Sequence, residues 1–234
     1  MKSLHNIEWD IQGLDNLQND QWYLISTNHQ SWADVLMLQN VFGRRIPFLK
    51  FFVKDELKWV PIMGLVWWAL DCPFMKRYSK EYLAKHPEMK GKDLETTRKA
   101  CQRFKEMPIS VISFIEGTRF TEQKRLKQAS PYQHLLKPKA GGLALVMSAM
   151  GEQFTAMLDV TFSYNTEEHG LWQFWCGKVK KISVRIKQFP VPAKLIGGDY
   201  ENDPIFRTYF QDWLHQLWLE KDLQLKIIYN KKNT

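Results

Sequence analysis

A chain of 234 residues, 44% hydrophobic and 25% charged, is long enough to bury a large core; this excludes wholesale disorder and fits one α/β-sized domain. Its 33 basic against 25 acidic residues leave a formal charge of +8, which favours acidic partners (phosphorylated metabolites, anionic lipid or nucleic acid) without choosing among them. The three scattered cysteines, Cys72, Cys101 and Cys176, form neither a disulfide framework nor a CxxC metal site, and no histidine lies near them at ligand spacing, so no metal is expected.

The opening stretch, MKSLHNIEWDIQGL, lacks the apolar run of a signal peptide. IEWDI and WYLIST read as strands on either side of a Gly-Leu-Asp-Asn turn region. After TNHQ, residues 31–42 carry Val35, Leu38 and Phe42 at helical spacing, with Leu36 beside them. The run WVPIMGLVWWALDCPFM, 59–75, is shorter than the roughly 20 apolar residues of a spanning helix and contains Pro61, Asp71 and Pro73. Its Trp59, Trp67 and Trp68 suit buried core, an interfacial surface or the wall of an apolar pocket. A basic cluster, Lys76, Arg77 and Lys80, follows.

A helix is expected over 93–105, with Leu94, Cys101 and Phe104 on one face, ending before Pro108. ISVISFI is a near-continuous β-rich run, which predicts a strand buried on both sides, as in a parallel sheet. It stops at EGTRF. A helix over 141–150 and a strand at MLDVTFSY come next. KISVRIKQF alternates polar and apolar, so it reads as an edge or exposed-face strand. Asp203-Pro204 reads as an N-cap followed by proline at the first helical position, opening a helix with Phe206, Tyr209, Phe210, Trp213, Leu217 and Trp218 on a broad apolar face. Helices alternating with strands predict an α/β fold, a mixed, mostly parallel sheet flanked by helices. No repeat or linker divides the chain, so 1–234 is expected to be a single domain.

Two stretches hold candidate chemistry. In TNHQSWAD, His29 stands five residues before Asp34. On a regular helix those side chains would point about 140° apart, so they meet only if His29 precedes the helix and Asp34 lies in its first turn. Ser31-x-x-Asp34 also matches an N-cap box, which leaves two readings open: a capped helix with a histidine in the turn, or an acid that fixes the tautomer of a general base. In FIEGTRF, Glu116 to Arg119 ends the buried strand, where ligands of open α/β sheets bind; Arg119 suits a phosphate and Gly117 permits close backbone approach. A strand-terminal turn with a surface ion pair is the alternative there.

Together the two stretches resemble the glycerolipid acyltransferase family, the one that contains the 1-acylglycerol-3-phosphate acyltransferases. Asn28, His29 and Asp34 match its NHxxxxD motif, and Phe114 to Arg119 match its (F/V)PEGTR motif except that Ile115 replaces the proline. CPFMKR is similar to the intervening motif, which implies a binding role for Arg77, and KPKAGG is similar to a lysine-bearing segment, which implies one for Lys139. LDVTFSY stands where a fourth motif carries a proline but has none. The motif-bearing part runs over about 9–165; the C-terminal strand and amphipathic helix, 172–223, carry no motif.

The resemblance implies a catalytic pair, His29 and Asp34, that deprotonates the free hydroxyl of a lysophospholipid for direct attack on an acyl thioester, giving phosphatidic acid when the acceptor is 1-acylglycerol-3-phosphate. It implies substrate binding by Arg77, Glu116, Gly117, Thr118, Arg119 and Lys139, with Glu116 holding an arginine or a glycerol hydroxyl. No cofactor or metal is implied; acyl-CoA or acyl carrier protein would be the acyl donor, and a membrane surface the place of work. Two other readings remain: an enzyme of this fold acting on a non-glycerophosphate acceptor, and a non-enzymatic membrane- or nucleic-acid-binding protein, which only the charge favours and which no nucleic-acid module supports. The family commonly has hydrophobic segments before its first motif, and here IEWDI comes first. The expected location is therefore the cytoplasmic face of the membrane, peripherally bound or as the soluble part of a longer anchored protein.

Overall fold

The computed structural model describes residues 7–51, 53–60, 63–69, 106–164 and 170–231, together with scattered positions between 72 and 104 and Thr166. Strands β1 (Glu8–Gln12) and β2 (Tyr23–Thr27) lead into helix α1 (Asp34–Phe42). Strand β3 (Leu49–Phe51), the short β4 (Val53–Lys54), helix α2 (Met63–Ala69) and the short β5 (Phe74–Met75) follow. Then come β6 (Ser110–Phe114), α3 (Glu122–Lys127), α4 (Ala140–Met150), β7 (Ala156–Tyr164), α5 (Leu171–Trp175), β8 (Lys181–Phe189) and α6 (Pro204–Asn230). The helix expected over 93–105 lies largely outside the described residues.

Six strands form one sheet in the order β1-β8-β7-β2-β6-β3, and β4 pairs with β5 separately. Within the large sheet only β7 and β8 run antiparallel; the other pairs are parallel. The mixed, mostly parallel α/β architecture expected from the alternation of elements is therefore the one observed. Both faces of the central strands are covered, which explains why YLIST and SVISF read as nearly unbroken apolar runs. Tyr23, Ile25 and Ile112 pack on one side with Met37, Leu38, Val41 and Phe42 of α1. Leu24, Val111 and Met157 pack on the other with Leu143 and Met147 of α4 and with Phe210, Leu214, Trp218 and Leu225 of α6. Burial of each such side chain is worth about 1.5–3 kcal/mol against exposure.

KISVRIKQF is not an edge strand. β8 lies between β7 and β1, and Glu8 to Gln12 pair with Lys181 to Arg185 along its outer side. Its polar residues find partners there: Arg185 donates to the Asp10 carboxylate at 2.6 Å and Lys181 to Glu8 at 2.6 Å. Polar alternation thus records cross-strand ion pairs rather than an open edge.

The C-terminal helix runs 27 residues to Asn230, beyond the expected span. Asp203 caps it as expected, accepting N–H bonds from Ile205 at 2.9 Å and Phe206 at 3.1 Å, with Pro204 at the first position. Its buried face includes Phe210, Leu214, Leu217 and Trp218, whereas Tyr209 turns to solvent. No described helix is long and apolar enough to cross a membrane. In the tryptophan-rich run the expectations divide: Trp67 packs against Phe51 at 5.8 Å, whereas Trp59 is 80% and Trp68 71% exposed.

Asp203→Ala removes the acceptor for two helix N–H groups, so the unfolding free energy should fall by about 1 kcal/mol. Urea unfolding checks this: the midpoint drops while the m-value is unchanged.

Candidate functional site

The site follows from strand register. β2 and β6 are parallel neighbours with Thr27 opposite Phe114, so both strands end at the same level and on the same side of the sheet. The next residues are Asn28-His29 on one and Ile115-Glu116 on the other, and the two segments that carried chemistry in the sequence emerge side by side. Two backbone bonds join them there, Ile115 N–H to Thr27 O at 3.3 Å and Phe120 N–H to His29 O at 2.7 Å, and a third, Lys139 N–H to Ile115 O at 2.8 Å, brings Lys139 to the same place.

Asn28 replaces a strand residue with its side chain. Its amide donates to Phe162 O at 2.9 Å and accepts from Phe162 N–H at 2.8 Å, so it clasps β7 as a backbone would. His29 then leaves the sheet, and its ring lies 4.1 Å from that of Phe114.

His29 precedes the helix and Asp34 is its first residue, which is the arrangement that lets them face each other. His29 Nδ1 stands 2.8 Å from Asp34 Oδ2. The same oxygen accepts N–H bonds from Gln30 at 2.7 Å and Ser31 at 3.0 Å, and Oδ1 accepts from the Tyr164 hydroxyl. With donors all round the carboxylate, Nδ1 carries its proton toward Asp34 and Nε2 is left with the lone pair. Burial, followed by the charge of Asp34, holds the Tyr164 phenol well above its ordinary pKa, so it remains a donor.

Ser31 is not the helix cap. Ala33 occupies that position without a side-chain bond, and the Ser31 hydroxyl accepts from Ala33 N–H at 3.1 Å inside the turn. The turn is held instead by Asp34 reaching back to two N–H groups. Pair and turn are one device here, with the acid serving both.

Glu116 is fully buried. Its oxygens accept backbone N–H groups, Oε1 from His29 at 2.9 Å and Oε2 from Leu136 at 3.0 Å, a role beside the arginine or glycerol hydroxyl that the resemblance implies. Burial pushes its carboxyl up to about 8; the two N–H bonds and the charge of Lys221 act against that shift, and the charge of Asp34 adds to it. Gly117 turns the chain with φ +66°, and a Cβ there would meet Lys139 Cδ at 3.0 Å, so a lysine stem lies across the turn. Lys124 Nζ donates to Thr118 Oγ1 at 2.9 Å and to Arg119 O at 2.8 Å. The Arg119 guanidinium stacks over the exposed Trp32 ring at 4.7 Å. The structure thus gathers His29, Asp34, Glu116, Gly117, Thr118, Arg119 and Lys139 at one end of the sheet; Arg77 lies outside the described residues. Among the described residues no cluster of His, Cys, Asp or Glu is arranged to hold a metal ion.

The family model described as Acyltransferase matches residues 8–164, most of the chain, including both strand-terminal segments. The chain belongs to the acyltransferase family. Among its relatives, human 1-acyl-sn-glycerol-3-phosphate acyltransferase gamma is 27% identical over 194 residues, covering 78% of this chain and 46% of the relative. The human delta form is 27% identical over 213 residues, covering 85% and 51%. This acyltransferase-family chain thus spans about half the length of the curated relatives it matches. A crystal structure titled as that of the 1-acyl-sn-glycerophosphate (LPA) acyltransferase PlsC from Thermotoga maritima aligns over 90% of this chain and 72% of its own, at 17% identity and a TM-score of 0.48.

Sequence reading did not find Tyr164, Leu136, Lys124, Trp32 or Lys221 as parts of this end of the sheet. Trp32 lies inside the first motif and its exposure beside a candidate arginine was a usable clue. Tyr164 and Lys221 are joined to this end of the sheet by tertiary contacts 130 and 61 positions away, and Leu136 and Lys124 by loop geometry that no periodicity encodes.

Because the Glu116 carboxyl is raised above its ordinary value of 4.5 to about 8, its stabilising protonated state is fully present below 4.5 and lost as pH rises through 8. The wild-type chain should therefore lose stability across that window, by an amount of order a few kcal/mol. Glu116→Gln should flatten the profile, as read by chemical denaturation at several pH values. An unchanged slope in that variant would exclude Glu116 as its source.

Proposed function

We propose that this protein transfers a fatty acyl group from an acyl thioester to the free hydroxyl of a lysophospholipid, with 1-acylglycerol-3-phosphate as acceptor and phosphatidic acid as product. The observation that carries the reading is the doubly held histidine: Asp34 fixes Nδ1 while Glu116, from the neighbouring strand's loop, fixes the backbone N–H. Nε2 takes the proton of the acceptor hydroxyl as its oxygen attacks the thioester carbonyl. The tetrahedral adduct then collapses, the C–S bond breaks and the imidazolium returns the proton to the departing thiolate. The substrate supplies the nucleophile, so no acyl-enzyme is required. Holding hydroxyl and thioester in contact geometry is worth about 7–11 kcal/mol of the barrier.

Arg119 and Lys139 lie on the loops beside His29, and their charges suit the acceptor's phosphate. The names of the human relatives, 1-acyl-sn-glycerol-3-phosphate acyltransferases, favour the same acceptor. An aromatic run leads away from the histidine: Phe114 stacks on Phe51 at 6.1 Å and Phe51 meets Trp67 of α2. On that helix and the turn before it, Trp59, Leu65 and Trp68 are exposed, which suits peripheral contact with a bilayer interface. Acyl-CoA or acyl carrier protein serves as donor in this reading, on the cytoplasmic face of the membrane.

His29→Ala should abolish acyl transfer while leaving the circular dichroism spectrum unchanged; turnover at the wild-type rate would sink the mechanism. Arg119→Ala should raise KM for 1-acylglycerol-3-phosphate about tenfold or more, the scale of a lost charge-assisted hydrogen bond, with kcat little changed. An equal loss on a monoacylglycerol acceptor would show that Arg119 does not read phosphate.

A further inference from the structure

The segment from Arg119 to Lys139 carries six basic residues and a single acid, Glu122, which Arg125 pairs at 2.5 Å. Arg119, Lys124, Lys127, Lys137 and Lys139 have no carboxylate partner among the described residues, whereas Lys181, Arg185 and Lys187 of β8 each have one. The cations are gathered by the fold of the segment. Lys124 donates to Arg119 O at 2.8 Å, and Gln128, next to Lys127, accepts the Lys137 N–H at 3.2 Å. In the reaction proposed above, Arg119 and Lys139 serve the acceptor's phosphate. A phosphomonoester carries only about −1.5 to −2 charge at pH 7, so Lys124, Lys127 and Lys137 are surplus to it.

The same segment walls a cavity of about 260 Å³. Pro131, Tyr132, Lys137 and Pro138 line it from the loop, and Gln211 and His215 from α6, outside the stretch that the family model matches. Loop and helix are joined firmly around it. The Tyr132 hydroxyl stands 2.6 Å from His215 Nδ1, and Asp222 of α6 accepts the Gln133 and His134 N–H groups at 2.9 and 2.7 Å. The stem of Lys139 lies across Gly117, and Lys137 is two residues earlier, at most about 7 Å of chain away. The cavity therefore adjoins the turn beside His29. Apolar rings with an imidazole, an amide and an exposed ammonium suit a heteroaromatic ring that carries phosphate.

We propose that this cavity takes the nucleotide end of acyl-CoA, with adenine between loop and α6 and the phosphates on Lys127 and Lys137, so that acyl-CoA rather than acyl carrier protein is the donor. The inference rests on the acyl-transfer reading and adds the donor's place to it. From the cavity the pantetheine arm runs along the loop past Lys139 toward His29. An acyl carrier protein brings an acidic surface but no adenine, and would leave the cavity unfilled.

Lys137 is exposed, so Lys137→Glu should fold as the wild type does, which its circular dichroism spectrum checks. In the full chain, KM for acyl-CoA should rise about tenfold or more, the scale of a lost charge-assisted contact, with kcat and acceptor KM each within about twofold. His215→Ala, the second variant, should raise the same KM from the α6 side. Adenosine 3′,5′-bisphosphate should compete with acyl-CoA, and Lys137→Glu should weaken that inhibition by a similar factor. An unchanged acyl-CoA KM in both variants would overturn the proposal. So would a preference for acyl carrier protein thioesters that Lys137→Glu abolishes, which would give the surface to an acidic protein. Titration calorimetry with adenosine 3′,5′-bisphosphate needs no turnover and separates the two readings. Binding that Lys137→Glu weakens, in a chain that transfers no acyl group, would sink acyl transfer and keep the nucleotide site. No binding by an active wild type would sink the nucleotide site alone.

Discussion

A buried carboxyl group that accepts two backbone N–H bonds is the constraint on which the site depends. Glu116 ties His29 of one strand end to Leu136 of a distant loop. The tie is possible only because β2 and β6 are parallel and in register, so that the residues after Thr27 and Phe114 emerge together. An antiparallel pair would send one of the two segments to the far end of the sheet. Parallel pairing therefore does more than build the core: it brings a histidine and a glutamate 87 positions apart in the chain within hydrogen-bond distance.

The acid after the histidine is constrained in a similar way. Asp34 has to meet an imidazole five residues earlier, which helical geometry forbids, and has to begin a helix. It satisfies both by accepting from Gln30, Ser31 and His29 at a single oxygen while Tyr164 takes the other. Ser31 has the sequence of a cap, but its hydroxyl accepts from Ala33 N–H in the turn before the helix, while the Asp34 carboxylate reaches back to the Gln30 and Ser31 N–H groups.

What was legible in the sequence was local. Periodicity placed β2, β6, β7, α1 and α4, and the Asp203-Pro204 pair placed the start of α6, because each of these depends on residues a few positions apart. The two motif segments were legible for the same reason. Position within the sheet was not: KISVRIKQF looked like an edge because its polar residues have partners on β1, some 170 positions earlier. The role of Glu116 escaped too, since backbone N–H groups leave no trace in side-chain pattern. Nothing in the sequence singles out Lys221, and only the docking of α6 against β7 reveals that it points inward.

The buried groups also explain how the site is charged. Asp34, Glu116 and Asp159 are carboxyls with little or no exposure, and Lys221 is the one ammonium buried among them in the described residues. Burial in that cluster is the main reason the Glu116 carboxyl is raised to about 8, and the charge of Asp34 adds to it. In the proposed reaction a cation appears beside these carboxyls at the moment of attack, when His29 takes the hydroxyl proton and becomes imidazolium against Asp34. The Asp34 carboxylate, already held by N–H and O–H donors, is placed to stabilise that imidazolium without reorganising as the transition state forms.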